Sequence, residues 1–259
     1  MKSSNPVLSN NVYDVRAQHV GYGQGMTISG TINKAGILMF LVLLSAAWTW
    51  MQFFALQRDA EFGAPVSTGA IGGYLMLGAF GGFIVAMVTT FKKEWSPITA
   101  PIYALLEGLF LGGISAMFEL RFPGIAIQAV AATFGTCFCL LLAYRSGLIR
   151  ASEKFTLGIV AATGGIAVVY FLSMILGFFH VQIPGIFGSG PVGILFSLVV
   201  VVVAALNLIL DFSFIEQGAQ KGAPKYMEWY SAFALMVTLV WLYLEMLRLL
   251  SKLRGDDRR

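Results

Sequence analysis

The sequence predicts an all-α fold, a polytopic integral membrane protein built as a seven-helix bundle. Three observations predict it. Hydrophobic residues make up 58% of the chain and charged residues 12%, about half the charged share of an ordinary soluble domain. Mean hydropathy is +0.78. The apolar residues also fall into seven runs, each long enough to cross or nearly cross a hydrocarbon core of about 30 Å at a helical rise of 1.5 Å per residue.

Residues 1–33 are polar, contain Lys2, Asp14, Arg16 and His19, and lack the early apolar core of a signal peptide. They are expected to form a flexible cytoplasmic tail. Lys34 marks the membrane edge, and the spans follow at 36–56, 69–91, 99–118, 124–144, 156–179, 191–215 and 229–250. Their connections are short and no Gly/Ser-rich linker divides them, so 34–252 is expected to be one transmembrane domain, with 253–259 a charged C-terminal tail.

In the second span Gly69 precedes Gly73, and Gly78 precedes Gly82, by one helical turn; Gly108 and Gly112 repeat the spacing in the third. Small faces of this kind let helix backbones approach closely in lipid. Cys137 and Cys139 lie two apart in the fourth span and point in different directions, so they imply neither a disulfide nor a metal-type CxxC. The sixth span carries no formal charge from Pro191 to Leu210 and then meets Asp211. Trp229 anchors the start of the seventh at an interface.

Charge asymmetry orients the chain. With the N-terminus inside, the cytoplasmic segments hold Lys2, Arg16, Lys34, Lys92, Lys93, Arg145, Arg150, Lys154, Lys221 and Lys225, and the opposing loops only Arg58 and Arg121. The C-terminal Lys252, Arg254, Arg258 and Arg259 break the bias, because seven full crossings place them outside whereas a re-entrant last segment returns them inside. The length of Trp229–Leu250 favours seven crossings.

Four acids lie within or beside apolar spans: Glu107, Asp211, Glu228 and Glu245. A charged acid at mid-helix costs about 2.5–3.5 kcal/mol on insertion scales, so such groups are expected to face one another, polar groups or water. Glu107 is about 12 Å inward from Thr99, with Tyr103 one turn earlier on its face. Asp211 is about 6–8 Å before the exit of the sixth span at Ile215 or Glu216, with Asn207 one turn deeper. Compatible depths make Glu107 a candidate partner of Asp211.

Two close carboxyls retain a proton between them, and its loss promotes separation or cation entry. The expectation is a proton-sensitive gate or cation pathway using Asp211, Glu107, Asn207 and Tyr103. Glu216 and Glu228 bracket a loop with Lys221 and Lys225, either as solvated membrane-edge charges or as a cation vestibule. Glu245, about 24 Å beyond Trp229, pairs with Arg248 in the outer half or lines an external cation path.

Enzyme readings find little support. Asp211 is the one aspartate near a span end, whereas a diaspartyl protease needs two; Ser189 and His180 lack a convincing base geometry. There is no HExxH, Walker sequence or CxxCH. The charge of +4 is spread over membrane flanks, which suits lipid headgroups rather than nucleic acid. No resident cofactor is expected.

The stretches "SPITAPIYALLEGLFLGGIS" at 96–115, "APKYMEW" at 223–229 and "LYLEMLRLL" at 242–250, with Asp211 after its apolar run, resemble the Bax inhibitor-1/YccA superfamily, in particular its bacterial subgroup with an extended N-terminal tail. The resemblance spans roughly 30–252. It implies a Bax inhibitor-1-like seven-helix fold with a central helix, in a bacterial inner membrane. Some relatives conduct calcium in a proton-sensitive manner, and another bacterial branch modulates a membrane-bound AAA protease. The implied function is therefore a proton-sensitive cation leak or exchanger, calcium being the candidate cargo, or a non-conducting regulator of such a protease. Asp211 matches the acid near the end of the sixth helix in the calcium-leak branch. That branch's partner aspartate falls on Thr238, or on Val237 with a one-residue shift, and its associated arginine has no counterpart in the second span. The second acid expected of the extended-tail subgroup near Ser213 is also absent.

Overall fold

The computed structural model describes residues 25–61, 68–179 and 185–256. The tail expected over 1–33 therefore lies outside the described residues up to 24, as do His180 and the last three residues of the C-terminal tail. Among the described residues, seven helices are long and apolar enough to cross a membrane. The first is α1 (Ile28–Glu61); the second is α2 (Thr68–Met76), a π turn over Leu77–Gly81 and α3 (Gly82–Phe91). There follow α4 (Ser96–Arg121), α5 (Ile125–Arg145), α6 (Glu153–Phe178), α7 (Pro191–Gln220) and α8 (Met227–Asp256).

Helix ends extend beyond the apolar runs because capping groups set them, and hydropathy does not register caps. Residues 28–33, expected in the tail, are helical: Thr27 Oγ1 accepts from Gly30 N at 3.0 Å and starts α1. Helix α8 likewise continues to Asp256, through residues assigned to the C-terminal tail. Ser152 accepts from Phe155 N and caps α6. Glu119 reaches forward from α4 to accept from Gly124 N and Ala126 N, so the last turn of one helix satisfies the first turn of the next. Gly124, at φ +81°, supplies the left-handed residue that this tight reversal needs.

Hydroxyls inside the spans bond back to their own helices. Thr49, Thr89, Thr90, Thr133 and Ser173 each donate to the carbonyl one turn earlier. Each of these five donors is thereby satisfied within its own helix.

The chain divides into two compact units. The first takes the described residues up to Ala126 together with Ile215–Met236; the second takes those of Ile127–Phe214 and from Val237 onward. Helices α7 and α8 contribute to both.

Glycines set the packing of the first unit. A Cβ at Gly108 would collide with Ser45 Oγ and the Val42 carbonyl of α1, and one at Gly112 with the Ala46 backbone. Gly78, in the π turn, lies as close to the α4 backbone at Leu106 and Phe110. Of the spacings noted in the sequence, Gly108/Gly112 and Gly78/Gly82 face neighbours, while Gly73 faces open space.

The second unit has a core of Ile166, Val200 and Val203, with Ala162, Tyr170, Phe196 and Trp241 packed against it. Here α7 and α8 run antiparallel. Asp211 neighbours Thr238 near one end, and Ser197 accepts from Lys252 near the other. Residues 197–211 and 238–252 are segments of equal length, each about 21 Å at helical rise, so the two contacts are rungs of one register. The last helix thus runs beside α7 between these two levels.

Matched substitutions test the glycine contacts. Gly112→Ala is expected to lower stability by about 1–3 kcal/mol through overpacking. Gly73→Ala, with room for its methyl, is expected to be neutral or to stabilise by about 0.5–1 kcal/mol. Unfolding of the purified variants in detergent measures both.

Candidate functional site

Asp211 is carried by a run of buried apolar residues, Leu208, Ile209 and Leu210, and is itself 3% exposed. On α8 the Thr238 side chain is its hydrogen-bonding neighbour. On α5 Cys137 is close enough to feel its charge. Asp211 Oδ2 is buried with no hydrogen-bond partner among the described residues. One turn earlier, Asn207 Nδ2 donates to Thr163 Oγ1 of α6 and to the Val203 carbonyl, each at 2.9 Å. A polar strip thus follows one side of α7, with Thr163 and Asn207 at one level and Asp211 and Thr238 at the next.

Glu107 belongs to the first unit, whereas Asp211 belongs to the second. Tyr103, one turn before Glu107, sets its phenol beside the Glu107 carboxyl, as their spacing on one face suggests. The Tyr103 ring is fixed edge-on against Phe233, with centroids 5.0 Å apart. Gly82 leaves the space that Glu107 fills: a Cβ there would be 3.3 Å from Glu107 Oε2. The π turn immediately precedes this contact, and π turns are frequent beside functional groups.

Glu228 is not at the solvated edge that its place beside Trp229 suggests; its side chain is 0% exposed. Its Oε2 is 2.6 Å from Lys34 Nζ, and its Oε1 is 2.7 Å from Lys225 Nζ. Oε1 also accepts from Thr27 N and Thr27 Oγ1, each at 2.9 Å. The approach continues outward: Met26 N donates to the Ala223 carbonyl at 2.7 Å, and Gly25 bridges to Pro224. Gly30 leaves room for this group: a Cβ there would meet the Glu228 carboxylate and displace it. The carboxylate lies in the first turn of α8 and beside the first turn of α1, so two positive helix ends add to the two lysines. Glu216, the other proposed vestibule acid, accepts from Gln220 one turn on along α7.

In the second unit Glu245 is 1% exposed. Tyr170 OH donates to both its oxygens, at 3.0 and 3.1 Å, and Arg248 NH1 lies 2.9 Å from Oε1. The Arg248 guanidinium also covers the Tyr170 ring at 5.2 Å. Sequence spacing showed the Glu245–Arg248 pair but not Tyr170, and it showed Lys225 near Glu228 but neither Lys34 nor Thr27. The missed partners come from distant helices.

A family model described as Bax inhibitor 1 like matches residues 5–255, and the chain belongs to that family. Comparison with curated proteins and with solved structures gives no match.

Breaking a buried ion pair from one side leaves the other charges uncompensated and typically costs about 3–5 kcal/mol. Glu228→Ala is therefore expected to free the start of α1. Faster amide exchange over residues 25–31, with exchange near Glu245 unchanged, is the expected result.

Proposed function

We propose that this Bax inhibitor 1 like protein is a proton-sensitive cation leak pathway of a bacterial inner membrane, gated by the charge on Asp211. Family membership fits a membrane transport or channel role in general. The observation that carries the finer reading is Asp211 Oδ2, a buried carboxyl oxygen with no partner among the described residues. Neutral, such a group packs beside Thr238; ionised, it is an uncompensated buried charge that draws in water or a cation. Asn207 and Thr163 extend the polar strip along which a cation exchanges water for protein oxygens.

Calcium is the candidate cargo because carboxylate and hydroxyl oxygens are the hard ligands it prefers, with water completing its shell. Glu107, beside the Tyr103 phenol, is proposed as a second proton-sensitive group, in the first unit. Glu216 is proposed as an acid of a cytoplasmic vestibule. In this reading residues 1–33 and the lysine-rich loops face the cytoplasm, and α8 ends outside.

Purified protein in calcium-loaded liposomes tests the proposal. Release is expected to rise with pH as Asp211 ionises, and Asp211→Asn is expected to remove that pH step. Glu107→Gln is expected to shift the pH response without abolishing it. Wild-type conduction with an unaltered pH response in Asp211→Asn rejects the gate. No wild-type release, with stable co-purification of a membrane-bound AAA protease, favours a regulatory role instead.

A further inference from the structure

We infer that the second unit contains a binding site for potassium-sized monovalent cations, an oxygen cage that the Lys252 ammonium fills as a tethered occupant. Lys252 Nζ donates to the Ile186 carbonyl at 3.0 Å, the Gly193 carbonyl at 2.9 Å and Ser197 Oγ at 2.8 Å. An ammonium has three N–H donors, and each is met by one oxygen.

Two of the three oxygens are main-chain carbonyls, so their positions are set by the path of the backbone. That path is tight, because a Cβ at Gly193 would collide with the Gly188 carbonyl. The segment before α7 is thereby folded onto the helix's first turn. Ser197 is buried. Converging carbonyl oxygens are how proteins replace the hydration shell of a monovalent cation, and ammonium and potassium are close in size.

The three oxygens need a donor or a cation. Glu245, Arg248 and Lys252 recur at helical spacing on one face of α8, and the first two pair with each other. Removing the ammonium would leave that pair intact and three oxygens without a donor. A monovalent cation repairs this loss, whereas a divalent ion must give up a more tightly held water shell for one hydroxyl and two carbonyls. Along α8 the cage is about 21 Å from the Thr238 level beside Asp211. Its role in flux rests on the conduction proposed above; the cage itself does not.

The test uses the full-length chain in detergent, as wild type, Lys252→Met and Lys252→Met/Ser197→Ala. Melting temperature is followed in N-methylglucamine, potassium, rubidium, ammonium and calcium salts at constant ionic strength. The wild type is expected to be indifferent to the cation. Lys252→Met is expected to melt lower in N-methylglucamine and to recover saturably with potassium, rubidium or ammonium, and the double variant to lose the recovery. Equal melting of Lys252→Met in all salts, an equal response in the wild type or double variant, or failure of Lys252→Met to fold even when purified in potassium overturns the site. Where wild-type liposomes conduct, Lys252→Met is also expected to change rubidium uptake. The melting experiment reads the cage without any flux, so failure of the leak pathway and failure of the cage are told apart.

Discussion

The Glu228 carboxylate receives the backbone nitrogen and hydroxyl of Thr27 and the ammonium groups of Lys34 and Lys225. Through these contacts the beginning of α1 is held against the beginning of α8, although the residues are far apart in sequence. Thr27 serves two helices, since its hydroxyl accepts from Gly30 while donating to Glu228. The first turn of α1 is therefore only as secure as a side chain from the other end of the protein. Bringing that acid indoors is tolerable because two lysines and two helix ends surround it, so its charge is compensated from several sides.

The same requirement separates the four buried or half-buried acids. Glu228 and Glu245 are each held by a cation and by hydroxyl donors. Glu107 has a phenol, and Asp211 has the Thr238 hydroxyl beside it and an oxygen left over. Polar atoms in an apolar interior are normally satisfied, and the exceptions are where function is sought. Asp211 differs from Glu228 and Glu245 not in burial but in its neighbours, Thr238 and Cys137, neither of which is a cation.

What the sequence disclosed follows its local periodicities. The seven apolar runs, the Gly108/Gly112 face, the Tyr103–Glu107 turn and the Glu245–Arg248 pair all arise from residues three or four apart or from composition along one helix. The Lys34–Glu228 bridge, the three acceptors around Lys252 and the Tyr170 phenol do not, because each joins separate helices or a loop to a helix. Helix starts were displaced for a related reason: Thr27 and Glu119 act as caps through contacts that hydropathy does not register. Thr238, one of the two positions that the resemblance sets opposite an acid, neighbours Asp211, and it brings a hydroxyl there instead of a charge.

The π turn at Leu77–Gly81 alters how the second span must be viewed. A π turn takes up more residues than an α turn, so the azimuth of every side chain beyond it is offset from the pattern before it. The span therefore offers lipid two apolar stripes with a dislocation between them, and a helical wheel drawn through both halves superimposes directions that never coincide. In lineage terms such a dislocation lets a membrane helix absorb an added residue without moving its ends, and here it brings a glycine against α4. Shortening the turn by one residue would rotate α3 about its own axis and carry Gly82 away from Glu107.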